Sequence, residues 1–149
     1  MGRFVTGIGM RLLIVGLIAG GAFLFRDRLS GNAGELRVGD CFDRVTTETV
    51  EDVQHHPCTE SHNAEVVLVA SHPAARGAPY PTNTDLDDYV ETTCATAVSA
   101  YVGPAASLDT LNWGIFYPAE DDWAKGERKM TCYLTLLDGA PLARSLKAH

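Results

Sequence analysis

None of the glycine patterns that cradle phosphates or dinucleotides occurs in the 149-residue chain, and neither does a GxSxG or an HExxH. The commonest hydrolase, metalloprotease and nucleotide-binding chemistries therefore have no foothold in it. No Ser, His and Asp arrangement stands out from chance, and no internal repeat or low-complexity run is present. The length fits one domain, or one domain with an anchor, and excludes a two-domain cofactor enzyme. Positive charge is scarce beyond the first segment. Residues 1–34 hold four Arg and one Asp, whereas residues 35–149 hold eight basic and eighteen acidic side chains. A surface with that excess repels phosphate backbones, which excludes nucleic acid as a partner.

What the sequence does have begins with an apolar run. From Phe4 to Phe25 the only charge is Arg11, and a helix of that length rises about 33 Å, close to the hydrocarbon thickness of a bilayer. Residues 1–28 are expected to be a short cytoplasmic tail and a single transmembrane helix, and residues 29–35 a short tether. A cleaved signal peptide is the competing reading, with Gly31-Asn32-Ala33 as its small-x-small site. Arg26, Asp27 and Arg28 between the apolar run and that site argue against it. Arg3 and Arg11 on one flank balance Arg26 and Arg28 on the other, so the charge rule leaves orientation open. Gly16 and Gly20 form a GxxxG that would let two helix backbones approach closely, although glycine is common in membrane helices generally.

Cysteine settles the orientation. Cys41, Cys58, Cys94 and Cys132 are even in number, and no two are spaced as a zinc knuckle or a redox CxxC. Two structural disulfides are expected, which places the domain outside the reducing cytosol. Four cysteines allow three pairings. Leu86, Tyr89, Val90, Cys94, Ala97, Val98 and Tyr101 recur at helical steps over Thr84 to Val102. Asn83 or Thr84 is placed to cap that helix, Asp85, Asp87 and Asp88 fall in its first turn, and Gly103-Pro104 stops it. Near the end, Met130, Cys132, Leu134 and Leu136 alternate with Lys129, Thr131, Tyr133 and Thr135, the pattern of a strand with one buried face. A helix stripe on a sheet face pairs Cys94 with Cys132 and leaves Cys41 for Cys58. Each bond closes a loop worth roughly 3 to 4 kcal/mol on the chain-entropy model.

The remaining segments fill in an α+β domain over residues 36–147: a small antiparallel sheet with one packed helix. Leu36 to Phe42 opens it, with a tight turn at Gly39-Asp40. Ala64 to Ala70 is apolar on both faces after Glu65 and reads as a central strand. His72 to Asn83, with three prolines, is a loop. Trp113 to Tyr117 is a short strand ended by Pro118, and Glu120-Asp121-Asp122 an exposed acidic turn before Trp123.

The order of these residues resembles the septum formation domain of actinobacterial membrane proteins. It runs through Leu36, Gly39-Asp40-Cys41-Phe42, Cys58 with His62 and Glu65-Val66, Cys94, and Tyr101-Val102-Gly103. It continues through Pro118, Trp123, Gly126, Arg128 and Cys132 and closes on Ser145-Leu146. The Cys-x3-His-x2-Glu and Trp-x2-Gly-x-Arg-x3-Cys spacings are the most specific parts. The resemblance implies an extracytoplasmic domain on an N-terminal helix, associated with division and the cell envelope and with no assigned reaction.

Sites for chemistry are few. His55, His56, Cys58 and His62 form the one cluster with metal-ligand spacing, so an extracytoplasmic Cu or Zn protein using His55, His56 and His62 is the alternative function. His62 and Glu65 would point to opposite faces of one extended strand, so an acid-base pair needs a turn between them. Trp123, Gly126 and Arg128 are read as a turn and a Trp-Arg contact, and the acidic pairs give a carboxylate-based wall hydrolase only a distant place. The expectation is a non-enzymatic binding or assembly module without a cofactor. It would be single-pass in the cytoplasmic membrane, its partner a membrane protein complex or a second copy met through the helix.

Overall fold

The computed structural model describes residues 30–44 and 52–149. The expected membrane helix, with Gly16 and Gly20, lies outside the described residues. Among those described, no helix is long and apolar enough to cross a membrane.

Among the described residues, six antiparallel strands form one sheet in the order β1-β3-β2-β4-β6-β5. They are β1 (Ser30–Asn32), β2 (Cys41–Asp43), β3 (Asp52–His56), β4 (Ala64–Ser71), β5 (Leu111–Phe116) and β6 (Lys129–Leu136). As its unbroken apolar character required, β4 sits centrally, between β2 and β6. A register shift between Val66 and Leu68 marks a β-bulge, and it turns Val67 and Leu68 to the same side. The segment expected as a tether is partly structured: β1 pairs with β3, and Ala33 is buried beyond it.

One face of the sheet carries the long helix. It runs as α1 (Asn83–Tyr89), a π-helical turn (Val90–Cys94) and α2 (Ala95–Val102). Leu86, Val90, Cys94, Val98 and Val102 follow one another at steps of four, overrunning four turns of 3.6 residues by about 1.6 residues. A wider π turn absorbs the surplus, with the Ala95 N–H donating to Val90 O, and keeps the stripe facing the sheet. The helix starts one residue earlier than its sequence suggested. Thr82 is the cap, its hydroxyl accepting from the Asp85 N–H while the Asp85 carboxylate accepts from the Thr82 N–H. Gly103, at φ 74°, ends it. Cys94, Val98, Tyr101 and Val102 pack on Val67, Leu111, Cys132 and Leu134. The Cys94–Cys132 disulfide, Cα atoms 5.4 Å apart, fastens helix to sheet.

The opposite face is covered too, which corrects the expectation of a single buried face on β6. Tyr133 is 7% exposed, wedged with Phe42 and Phe116 under Ala33 and Leu36. A third element, α3 (Glu120–Lys125), replaces the expected acidic turn. Its first three residues are exposed acids at the end where a helix dipole favours anions, and Trp123 is its buried anchor.

Candidate functional site

The motif residues gather in two places. At the first, the Gly39-Asp40 turn aims Cys41 into the sheet. Gly39 takes φ 91°, Asp40 N–H donates to Arg37 O, and the Asp40 carboxylate accepts the Arg37 N–H. The Val66 N–H donates to Asp40 O and the Gly39 N–H to Val66 O, so the turn is tied to β4. Cys41 stands opposite Glu65 in the β2–β4 ladder. The Cys41–Cys58 disulfide, Cα atoms 5.3 Å apart, completes the expected pairing.

His62 and Glu65 are brought together by a bend at Asn63, the turn their pairing required. His62 lies outside β4 and pairs through its backbone with Leu142. Both side chains are fully buried, with His62 Nε2 3.3 Å from Glu65 Oε1. The other ring nitrogen, Nδ1, lies 2.8 Å from the Glu60 carbonyl oxygen, an acceptor, so Nδ1 carries a hydrogen. Nε2 is thereby turned towards Oε1. Glu65 accepts from three further donors: Ser145 Oγ at 2.9 Å, the Leu146 N–H at 2.9 Å and Tyr101 OH at 3.2 Å. A buried carboxyl group without such donors would be heavily penalised. Burial pushes Tyr101 up to about 12, against the opposing effect of its contact with Ser145. The Ala148 N–H donates to Tyr101 O, so residues 142–148 form a strap bonded at His62, Glu65 and Tyr101.

The second place is the clamp on the loop after β4. Arg128 stacks 3.8 Å over the Trp123 ring and is nearly buried. Its guanidinium donates to the carbonyls of Ala74, Ala75, Trp123 and Glu127. Trp123 Nε1 donates to Ala78 O. Gly126, at φ 103°, ends α3 so that the chain can turn back into β6. His72 lies between Tyr89 and Trp123, and burial followed by the nearby Arg128 charge push its pKa below the ordinary value.

With the geometry in place, the family can be judged. The model of the septum formation family matches residues 38–148, a span that holds both motif clusters and all four cysteines. The chain belongs to the septum formation family. No curated protein and no solved structure matches it. In this septum formation domain the three histidines proposed as metal ligands do not converge. His55 and His56 are neighbours on β3 and so face opposite ways, His56 Nε2 meets Asp43 Oδ2 at 2.8 Å, and His62 is bound to Glu65. Among the described residues one other group has ligand atoms close enough for a metal ion: Cys41, His62 and Glu65. The sequence had singled out Cys41 as a disulfide cysteine and Glu65 as a motif residue and an acid-base partner for His62, but not the three together as ligands. Tyr101, Ser145 and Leu146 were quoted for the resemblance but not as partners of Glu65.

Proposed function

We propose that the chain is a binding or assembly module of the cell envelope, anchored by its N-terminal apolar run with the domain outside. It would serve septum formation or a neighbouring membrane complex. The observation that carries this is where the family's distinctive residues point. Gly39 and Asp40 form a turn, His62 and Glu65 hold the strap, and Trp123, Gly126 and Arg128 clamp a loop. These residues maintain the shape of the domain, and shape is what a holding function uses. Two disulfides support an oxidising compartment. Among the described residues the sheet begins at Ser30, with only four residues between it and the end of the apolar run at Phe25. Four residues can span at most about 14 Å, which supports contact with the outer face of a membrane complex over a free search for wall substrate.

The test is mild-detergent purification of the tagged full chain with identification of what co-purifies. Exchanging Gly16 and Gly20 for Ile should weaken recovery of the partner while both disulfides and the domain's circular dichroism stay unchanged. Retention of every partner by that double variant, together with loss of function in a folded His62→Ala, Glu65→Ala variant, would replace the holding role with a ligand or catalytic site at those two residues.

A further inference from the structure

The corner where β2, β4 and the His62 bend meet holds more chemistry than a structural disulfide needs. Cys41, His62 and Glu65 each offer one ligand atom, these atoms lie within 4.8 Å of one another, and all three residues are buried. Cys58 is bonded to Cys41, so opening that bond frees a second thiol beside Cys41 Sγ that can turn in as a fourth donor. The two remaining donors are already oriented as metal ligands usually are. His62 donates from Nδ1 to the Glu60 carbonyl, which fixes Nε2 inward, the arrangement by which a protein sets the tautomer of a ligating imidazole. Glu65 is held by Tyr101, Ser145 and Leu146, and its Oε1 lies 3.3 Å from Nε2. The two disulfides differ in access: Cys94 and Cys132 are fully buried, whereas Cys58 is only partly covered. A dithiol therefore meets Cys58 first.

We propose that, when the Cys41–Cys58 bond is open, Cys41 Sγ, Cys58 Sγ, His62 Nε2 and Glu65 Oε1 form a buried site for a thiophilic divalent cation of the Zn2+ class. Two thiolates with an imidazole and a carboxylate suit Zn2+ and disfavour Mg2+ or Ca2+. The steps balance. A dithiol attacks Cys58 Sγ, the S–S bond breaks with Cys41 leaving, and the mixed disulfide is resolved by the second thiol. The reductant leaves as a disulfide and the protein holds two thiols. Binding the ion then releases the two thiol protons, since the cysteines ligate as thiolates. The closed disulfide has no thiolate to offer, so the same four residues hold either a covalent bond or an ion.

The experiment uses the full chain in mild detergent, with Co2+ as spectroscopic probe and Zn2+ as competitor. Peptide mapping after mild dithiol treatment should show Cys41 and Cys58 free with Cys94–Cys132 intact. That species should take up one Co2+ with a thiolate charge-transfer band, give it up to Zn2+, and release protons as the thiols ligate. The oxidised chain should show no such band. His62→Ala should weaken binding by at least about tenfold, since even outer-shell changes reach that size. Absence of the band in the reduced chain, or an unchanged affinity in His62→Ala, overturns the proposal. If reduction unfolds the domain, Zn2+ should restore its circular dichroism, because binding energy at such a site is folding energy. A domain that stays unfolded with Zn2+ present overturns the proposal equally.

Discussion

Replacing Glu65 with Gln changes one atom and leaves the side chain the same size, so its effect reports on hydrogen bonding alone. The carboxyl group accepts from Leu146 N–H and faces His62 through Oε1, and accepts from Ser145 and Tyr101 through Oε2. A glutamine has one acceptor oxygen. With that oxygen towards Tyr101 and Ser145, the Leu146 N–H keeps only its longer, 3.2 Å contact and meets the NH2 where its 2.9 Å acceptor was. With the amide reversed, the two hydroxyls lose their acceptor. Either way at least one donor is stranded or left with a weakened, repelled contact, for about 1 to 3 kcal/mol. A loss near 2 kcal/mol corresponds to roughly 10 °C in the melting temperature of a domain this size. Urea unfolding with disulfides intact measures the total, and amide hydrogen exchange locates it. Leu146 and Ala148 should lose protection ahead of the β4–β6 ladder, because the strap is released first. A Glu65→Gln domain within about 0.5 kcal/mol of the parent, with Leu146 still protected, would refute the claim that this carboxyl group holds the strap.

Three further outcomes are expected. Arg128→Lys should lose about 2 to 3 kcal/mol, since an ammonium cannot serve four carbonyls and stack on Trp123 at once; faster tryptic cleavage at Arg76 would register the loosened loop. Gly114→Ala should cost about 1 to 3 kcal/mol in urea unfolding, because its Cβ would lie 2.5 Å from the Tyr133 hydroxyl, on a ring held between Phe42 and Phe116. Tyr101 carries a folded pKa of about 12 against an ordinary 10.0, so the folded state holds its proton more tightly. That contribution is complete below pH 10 and lost as pH rises from 10 towards 12, on the order of 2 kcal/mol. Comparing unfolding at pH 9 and 11 should show a smaller alkaline loss in Tyr101→Phe than in the parent.

Elements with a strong period were legible from the sequence. The Leu86 to Tyr101 stripe and the Met130 to Leu136 alternation set helix on sheet and thereby the Cys94–Cys132 bond. Ala64 to Ala70, apolar on both sides, declared its central position. Segments whose structure depends on distant partners were not legible. Ser30–Asn32 has no strand character and exists through its ladder with β3. Glu120–Lys125 is too short to show a helical period. The π turn was implicit in the four-residue steps, yet an ordinary helix fits the same residues locally. At the site, Glu65 opening an apolar strand was the available signal, since a carboxyl group there must find donors. Nothing near it in sequence names Ser145 and Leu146, which lie 80 and 81 residues away.

That separation bears on how the domain is made. Glu65 leaves the ribosome long before its donors in residues 142–148, and until they arrive its carboxyl group cannot enter the interior without a large desolvation penalty. The partly made chain must keep β4 open to water at its first turn, so the sheet cannot close from its N-terminal half alone. Closure of the strap then becomes a late step, paid for in loop entropy and placed after synthesis of the last strand. Under the export proposed above, such an order would delay compaction until the polypeptide has passed, and a copy broken off before Leu142 would remain open to proteases.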